Sequence, residues 1–315
     1  MENISIETMS NKGLCGLVNI SNTCYLNSIL QTLFNNKYLI NILINKNFEI
    51  NNIYQNNITT ELQKLIKNVW TDNSIILPKS FIELLSNITK ENLNEQNDPD
   101  EYYEIIINRL YDETCLNTIN INDINNLNHI HQKEWYKYFK NKISFINDIF
   151  YGQYKSEIKC KSCNHILINY EPFITIKLEL KDNDLLNCLK LHLSWEHNIN
   201  FTCENCKNTN ISKKRLTLQK LPNTLIFTLK RYNNLLQKNN NHITFPSLFE
   251  IDNIKYELTS IINHYGHILE SGHYTVYSKH HINNKWYEFN DKNITEININ
   301  NINKNIIYML IYNKL

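Results

Sequence analysis

Four of the eight cysteines form two C-x₂-C pairs, and this spacing constrains the fold more than any other feature of the chain. The pairs are Cys160 with Cys163 and Cys203 with Cys206, and 39 residues separate the two inner cysteines. Four thiolates in this pattern suit tetrahedral zinc. Disulfides are the main alternative, but cysteines separated by two residues bridge poorly with each other. The spacing predicts one structural zinc ion and no catalytic metal, because a closed four-cysteine site has no open coordination position.

A further cysteine, Cys24, lies at the start of a predicted amphipathic helix. Apolar residues recur after it with helical spacing, at Leu26, Ile29, Leu30, Leu33 and Phe34. Ser21 or Asn22 is the predicted N-cap. Free N–H groups at a helix N-terminus lower a thiol pKa and can bind an oxyanion. Cys24 is therefore a candidate nucleophile, and the alternative is a buried structural cysteine.

Two segments near the C-terminus supply partners for a cysteine nucleophile. If residues 273–278 and 285–290 form a hairpin with a loop at 279–284, His273 lies directly opposite Asn290. Asn290 would then hold one ring nitrogen of His273 and leave the other for Cys24. These residues predict a nucleophile, a base and an orienting amide.

The neighbouring residue Asp291 is an alternative third member or a supporting residue. Strand alternation predicts that its side chain points to the opposite face of the sheet, and a bulge would reverse that choice. His264 and His267 are weaker candidates for the base, since neither precedes an apolar, aromatic strand like the one after His273.

The Cys24 segment and the segment Gly272-His273-Tyr274 together resemble the two signature boxes of the ubiquitin-specific protease family, which are papain-like cysteine peptidases. The resemblance covers nearly the whole chain. It also includes, between and after the boxes, Gln96 to Tyr102, Phe150 to Gln153, Glu171 to Phe173, Leu221 to Tyr232, Phe245-Pro246 and Tyr308 to Tyr312. One departure is Ser21, where the family usually has glycine.

The resemblance implies a deubiquitinating cysteine protease with a thioester intermediate. By position, Cys24 is the nucleophile, His273 the general base, Asn290 the third member and Asn19 the side-chain donor of the oxyanion hole. His273 lies 249 residues after Cys24, well beyond the roughly 130 to 150 residues of papain-type enzymes, and the additional length contains the zinc cysteines.

The resemblance also implies a subdomain layout. A short extension at 1–13 precedes a single catalytic domain at 14–315. The expected thumb spans about 14–125, the zinc-ribbon fingers about 150–235, and the palm is completed by about 236–315. The fingers would hold the folded part of ubiquitin while its tail enters the cleft between thumb and palm.

The ubiquitin tail is basic and ends in two glycines, so carboxylates are expected along its path. Asp98 and Glu101 match acidic positions of the family, although both also fit the cap of a predicted helix over 99–113. Tyr274, beside the base, is expected either to pack over the diglycine channel or to lie in the core.

Composition agrees with a single intracellular domain of the α+β class. A helical first part is followed from about residue 150 by alternating, strand-like segments. The net charge of +1 argues against a nucleic-acid partner, and no apolar run is long enough for a membrane span. Eight cysteines without a secretory signal fit a reducing compartment, cytoplasmic or nuclear. The protein is expected to be monomeric, with ubiquitin or ubiquitinated proteins as its partners.

Two other classes of function share parts of this sequence pattern. An inactive ubiquitin-binding scaffold of the same fold would lack one of Cys24, His273 or Asn290, and all three are present. A zinc-ribbon module for interactions or nucleic acid would need only the paired cysteines. Within the protease class, a ubiquitin-like modifier stays open as the substrate, because the motifs describe the chemistry and the tail better than the globular partner.

Overall fold

The computed structural model describes residues 12–45, 48–51, 53–71, 75–93, 95–232, 237–268 and 271–315. Over these ranges a helical first part precedes a strand-rich second part, which confirms the predicted α+β class. The helices are α1 (Cys24–Phe34), α2 (Lys37–Asn45), α3 (Ile58–Thr71), α4 (Lys79–Thr89), α5 (Pro99–Thr114), α6 (Ile121–Asn125), α7 (Ile130–Tyr138), α8 (Phe145–Phe150) and α9 (Leu185–His192). None of them combines the length and apolarity needed to cross a membrane.

Two sheets contain nearly all the strands. The central sheet has the order β13-β12-β11-β10-β14-β8-β5, with β9 paired to β10, and the knuckle sheet has the order β4-β3-β7-β6. Among these pairs β5 and β8 run parallel, and the others are antiparallel. The strands are β1 (Asn117–Thr118), β2 (Lys142–Ile143), β3 (Gly152–Lys159), β4 (Ile166–Phe173), β5 (Thr175–Glu179), β6 (Glu196–Thr202), β7 (Thr209–Lys220), β8 (Thr224–Lys230), β9 (Leu248–Ile251), β10 (Ile254–Ile268), β11 (Ser271–Lys279), β12 (Trp286–Asn290), β13 (Asn293–Ile297) and β14 (Ile307–Lys314).

Helix α1 lies in the core between the other helices and the central sheet. All eleven of its residues are buried, and it packs against β11, β12 and α5. A helix that is buried on every side is fixed in position, because each fully buried Leu or Ile stabilises the fold by roughly 1.5 to 3 kcal/mol. The first residue of α1 is thereby held against the strand that carries His273.

Helix α5 is the most accurately predicted element. The sequence predicts 99–113, and the helix runs over Pro99–Thr114. Asp98 is the N-cap, and its carboxylate accepts a hydrogen bond from the Asp100 N–H at 2.9 Å. The prediction that Glu101 also caps this helix is wrong. Its side chain is exposed, and Asp98 alone makes the side-chain cap bond.

The hairpin of β11 and β12 forms, but its register differs from the prediction. Val276 pairs with Phe289 and Lys279 with Trp286, so the loop is 280–285 and the strands are shifted by two residues. A shift of two keeps every side chain on its predicted face, whereas a shift of one would reverse the faces. His273 and Asn290 therefore remain on the same face as diagonal rather than directly opposed neighbours.

Candidate active site

The backbone turns sharply just before Cys24. Ser21 and Asn22 have φ of 52° and 60°, in the left-handed region. The prediction that one of them is the N-cap is wrong, because α1 begins at Cys24 and both residues lie before the cap position with positive φ. Thr23 occupies the cap position and makes no side-chain cap bond, so the cap side chain does not occupy the first N–H groups of α1. The left-handed φ of Ser21 is also a physical reason why glycine suits this position.

His273 joins Cys24 to Asn290. Its Nε2 lies 2.7 Å from Asn290 Oδ1, which leaves Nδ1 for the thiol. The hydrogen bond to Cys24 raises the pKa of His273 to about 9, with Asn290 adding to the effect and burial opposing it. The ring therefore holds its second proton at neutral pH and loses it as the pH rises through about 9. An imidazolium in this place stabilises negative charge on the Cys24 sulfur.

Asp291 lies in the site, and the prediction that it points to the opposite face is wrong. It follows β12 with φ of 49°, so strand alternation no longer applies to it. Its Oδ2 accepts from Asn19 Nδ2 at 2.9 Å, and its Oδ1 accepts from Asn27 Nδ2 at 2.8 Å. Oδ2 is also 3.9 Å from His273 Nε2. One carboxylate thus connects the base with the loop and helix that carry Cys24.

Close backbone packing holds Asp291 in this place. The Leu17 N–H donates to the Asp291 carbonyl at 2.9 Å. A Cβ added to Gly16 would lie 2.3 Å from the Lys292 carbonyl oxygen, so only glycine permits this approach. The turn after β12 is therefore held against the segment that leads to the nucleophile.

Asn19, the predicted oxyanion donor, lies beside the start of α1. Its Oδ1 accepts from the Thr23 N–H at 3.0 Å, and its Nδ2 donates to Asp291. Its amide is thus oriented at both ends, and Nδ2 has a second N–H besides the one given to Asp291. Asn27 was missed from the sequence, because its place in the site depends on a contact with Asp291, 264 positions away.

Asp98 and Glu101 differ in their surroundings. Both Asp98 oxygens lie 2.8 Å from the Tyr308 hydroxyl, and burial raises the Asp98 pKa to about 6 against these hydrogen bonds. Glu101 is exposed on the first turn of α5. The sequence missed Asp100, which is buried and paired with Lys177 at 2.8 Å. Asp98 is therefore charged above about pH 6, where it can attract a basic group.

Tyr274 is buried, with 1% of its surface exposed, and its ring centroid lies 4.5 Å from that of His264 with the two rings tilted by 35°. Within the part of the chain that the structure describes, its hydroxyl has no hydrogen-bond partner. Burial lowers the pKa of His264 to about 4, and its Nδ1 lies beside the Tyr232 hydroxyl. His264 is therefore neutral and enclosed, and His267 is exposed. Neither contacts Cys24 in the way that His273 does.

The four paired cysteines meet at the tips of two hairpins of the knuckle sheet. Their sulfur atoms all lie within 4.8 Å of one another, and none forms a disulfide. In each turn the first cysteine N–H donates to a carbonyl five residues later, from Cys160 to His165 at 2.9 Å and from Cys203 to Asn208 at 3.0 Å. Two matching turns thus present four thiols to one point, and this cluster can bind a zinc ion.

A sequence profile described as ubiquitin carboxyl-terminal hydrolase matches residues 15–312. The chain belongs to this family. One relative is ubiquitin carboxyl-terminal hydrolase Usp2 of Drosophila melanogaster, 30% identical over 96% of this chain and 35% of that protein. Another is ubiquitin carboxyl-terminal hydrolase 2 of Homo sapiens, 26% identical over 98% of this chain and 56% of that protein. The chain thus spans between about a third and just over half of these relatives.

Solved structures of the family share the fold. A cysteine-to-alanine variant of Ubp8 in the SAGA DUB module with Sgf11, Sus1 and Sgf73, bound to monoubiquitin, has a TM-score of 0.75 at 26% identity. It covers 98% of this chain and 70% of that chain. The module bound to ubiquitin aldehyde has a TM-score of 0.72 at 26% identity and covers 100% of this chain and 72% of that chain. These comparisons confirm the family resemblance and the predicted fold class.

Proposed function

We propose that this chain is a deubiquitinating cysteine protease that hydrolyses the peptide or isopeptide bond after the C-terminal glycine of ubiquitin. The observation that carries the proposal is the hydrogen-bonded set of Cys24, His273 and Asn290 at the start of α1, in a member of this hydrolase family. The intact set argues against an inactive scaffold. Relatives in the same fold are bound to monoubiquitin and to ubiquitin aldehyde, which supports ubiquitin as the substrate.

The proposed reaction has two halves. Cys24 Sγ attacks the carbonyl carbon of the last glycine, and the Cys24 N–H and Asn19 Nδ2 bind the oxyanion. His273 then gives its proton to the leaving lysine amine, the C–N bond breaks and a thioester remains. Water attacks the thioester while His273 takes its proton, and the product carboxylate and the Cys24 thiol are released.

The test is turnover of C-terminal fluorogenic amides of ubiquitin and of ubiquitin-like modifiers. We expect the ubiquitin reporter to be hydrolysed with the highest kcat/KM, at least about tenfold above the others, because tail and globular contacts both contribute to transition-state binding. A higher kcat/KM with a ubiquitin-like modifier would support the protease activity and replace ubiquitin as the proposed substrate. No turnover of any reporter would contradict the proposal.

Structural zinc at the four-cysteine cluster is part of the proposal. Zinc would tie the tips of the two hairpins together, while the chain's own turns orient Cys160, Cys163, Cys203 and Cys206 toward one point. These residues lie on the knuckle sheet, whereas Cys24 and His273 lie on α1 and the central sheet. The metal is therefore assigned a structural role.

We expect purified protein to contain one zinc ion per chain, as measured by inductively coupled plasma mass spectrometry. Cys203→Ser should lose the zinc and lower the melting temperature, because removing one thiolate breaks a closed site. Its control is Cys188→Ser, which alters another buried cysteine outside the cluster and should keep the zinc. Alkylation of Cys24 by iodoacetamide should be unchanged in both variants. Active protein without zinc would refute this assignment.

The carboxylates Asp98 and Glu101 are proposed to contact the basic ubiquitin tail. We expect the double variant Asp98→Asn, Glu101→Gln to lower kcat/KM on a ubiquitin reporter by about one to two orders of magnitude at pH 7.5. The amides keep the acceptor for Tyr308 and remove two charges. Because the Asp98 pKa is about 6, the wild-type advantage should shrink as the pH falls below that value.

The control for the tail variant removes two carboxylates on other helices, that of exposed Glu83 on α4 by Glu83→Gln and that of half-buried Glu134 on α7 by Glu134→Gln. It makes the same change in net charge and should leave kcat/KM within about twofold. Both double variants must melt near the wild-type temperature. A tail variant that behaves like this control would show that Asp98 and Glu101 serve the helix and that the tail is recognised elsewhere.

The remaining assignments belong to the same proposal. The thumb is placed at about 14–125, the fingers at about 150–235 and the palm is completed by about 236–315, after an extension at 1–13 of which residues 1–11 lie outside the described residues. For Tyr274 the core alternative is proposed over packing across the diglycine channel, since its ring is buried. An intracellular, monomeric protein is proposed, whereas the Ubp8 relatives were solved together with other subunits.

A further inference from the structure

Gln96 connects two parts of the cleft that no catalytic hydrogen bond joins. The Gly272 N–H donates to Gln96 Oε1 at 3.2 Å, across 176 positions of sequence. Gly272 directly precedes the base His273, and Gln96 lies two residues before Asp98. The bond therefore joins the segment that caps α5 to the start of β11.

The other end of the Gln96 amide is unsatisfied. Its Nε2 is buried and has no hydrogen-bond partner among the described residues. The next residue, Asn97, donates to the Tyr25 hydroxyl at 3.1 Å, and Tyr25 follows Cys24 in α1. This places the segment that carries Gln96 beside the nucleophile. A buried donor without an acceptor costs roughly 1 to 3 kcal/mol, which is acceptable where a ligand supplies the acceptor.

Gly272 holds its N–H in a fixed place. The β10–β11 register is irregular between Tyr265 and Ile268, and Gly272 falls outside the paired positions. With φ of 153°, its Cα lies so close to the neighbouring strand that an added Cβ would be 2.2 Å from the Tyr265 carbonyl oxygen and 2.6 Å from His264 Nε2. The hairpin backbone is therefore enclosed on that side, and its N–H faces the Gln96 amide.

A tail that ends in two glycines has no side chains at its last two positions. Recognition there must use the main chain, and an extended peptide offers carbonyl oxygens as acceptors. Gly272 N–H and Gln96 Nε2 are two donors beside the nucleophile and the base. In the free chain, the Gly272 N–H is already bonded to Oε1 of Gln96, the same side chain that carries the second donor, Nε2.

We propose that Gln96 closes the diglycine channel of the free enzyme and opens it by turning its amide when the tail enters. This inference rests on the proposed function. In the open arrangement the Gly272 N–H and Gln96 Nε2 each donate to a main-chain carbonyl of the tail. Gln96 is thus a substrate-binding residue that also selects for a side-chain-free, extended terminus.

Two substitutions at Gln96 distinguish a residue that opens the channel for the tail from one that only positions the hairpin. Gln96→Glu keeps an oxygen for Gly272 N–H and binds it more strongly, but it has no N–H to give to the tail. Gln96→Ala removes both the closing contact and the donor. For a channel that must open, kcat/KM on a ubiquitin reporter should fall about fivefold in Gln96→Ala and at least about tenfold further in Gln96→Glu.

If Gln96 only positions the hairpin, Gln96→Glu should have a higher kcat/KM than Gln96→Ala, because Gln96→Glu preserves the bond to Gly272. The added carboxylate would by itself attract the basic tail, and the rate of Cys24 alkylation shows whether its charge disturbs the nucleophile. Asn97→Ala is the matched control, since it loosens the same segment without removing the bond to Gly272. Its kcat/KM on the ubiquitin reporter should fall by less than about twofold.

All variants should react with iodoacetamide at Cys24 at the wild-type rate, which shows that the nucleophile is intact. The proposal would be overturned if Gln96→Glu had a higher kcat/KM than Gln96→Ala, or if both variants stayed within about twofold of wild type. Neither result would affect the proposed function, because the wild-type enzyme and its Cys24 dependence are measured in the same assay.

Discussion

Replacing Cys24 with alanine is expected to abolish hydrolysis of a ubiquitin C-terminal reporter, with kcat falling on the order of 10³-fold or more. The sulfur is the one protein atom proposed to bond covalently to the substrate carbonyl carbon, and the proton transfers by His273 need that thioester step. Ubiquitin binding, measured by isothermal titration calorimetry, should stay within about twofold of wild type, since the tail and globular contacts are untouched.

The fold should tolerate this change. Cys24 is 2% exposed in a closely packed helix, and loss of one buried sulfur costs about 1 kcal/mol of unfolding free energy. Cys115→Ala removes a buried thiol far from the cleft and should retain full activity. Residual turnover above about 1% of wild type in Cys24→Ala would remove Cys24 from the proposed role.

The second large effect is expected from the two residues at the end of β12. Asp291→Ala should lower kcat/KM on the order of 10²-fold, because it takes the acceptor from the Nδ2 groups of half-buried Asn19 and buried Asn27 and removes a carboxylate 3.9 Å from His273. Asn290→Ala should lower it by about tenfold to 10²-fold, because His273 loses the acceptor that fixes its ring.

A pH profile of Cys24 alkylation by iodoacetamide separates these losses from simple unfolding. Asn290 and Asp291 both help to raise the pKa of His273 to about 9, so the imidazolium should be lost at a lower pH in either alanine variant. Asp291→Asn keeps the size of the side chain and removes its charge, and should show an intermediate shift. A folded Asp291→Ala enzyme within about twofold of wild type would contradict the place given to this carboxylate.

Local and strongly patterned features could be predicted from the sequence. Helix α5 follows from Asp98 and Pro99 at its start and from its apolar spacing, and these signals act over a few residues. The four-cysteine cluster follows from spacing, because C-x₂-C turns present their thiols in the same way wherever they occur. The proposed catalytic residues rest on chemistry and family resemblance, and the hairpin keeps His273 and Asn290 on one face although its register differs by two residues from the predicted one.

The remaining features depend on contacts between distant segments and on backbone conformations that pattern does not encode. Asp291 enters the site because a left-handed turn follows β12 and because Gly16 allows that turn to approach. Ser21 and Asn22 resemble caps but adopt positive φ, since the chain must reverse just before a fully buried helix. Gln96 has no distinctive signal beyond its motif, and its importance depends on the position of Gly272.

The most direct measurement is covalent capture by an active-site probe. Ubiquitin carrying an electrophile in place of its C-terminal carboxylate should form one adduct with the wild-type chain, and peptide mass spectrometry should locate it on Cys24. No adduct should form with Cys24→Ala, with His273→Ala at neutral pH, or with a probe whose two terminal glycines are replaced by bulkier residues. Capture at another cysteine, or none at all with a folded wild-type chain, would contradict the assignment of this site.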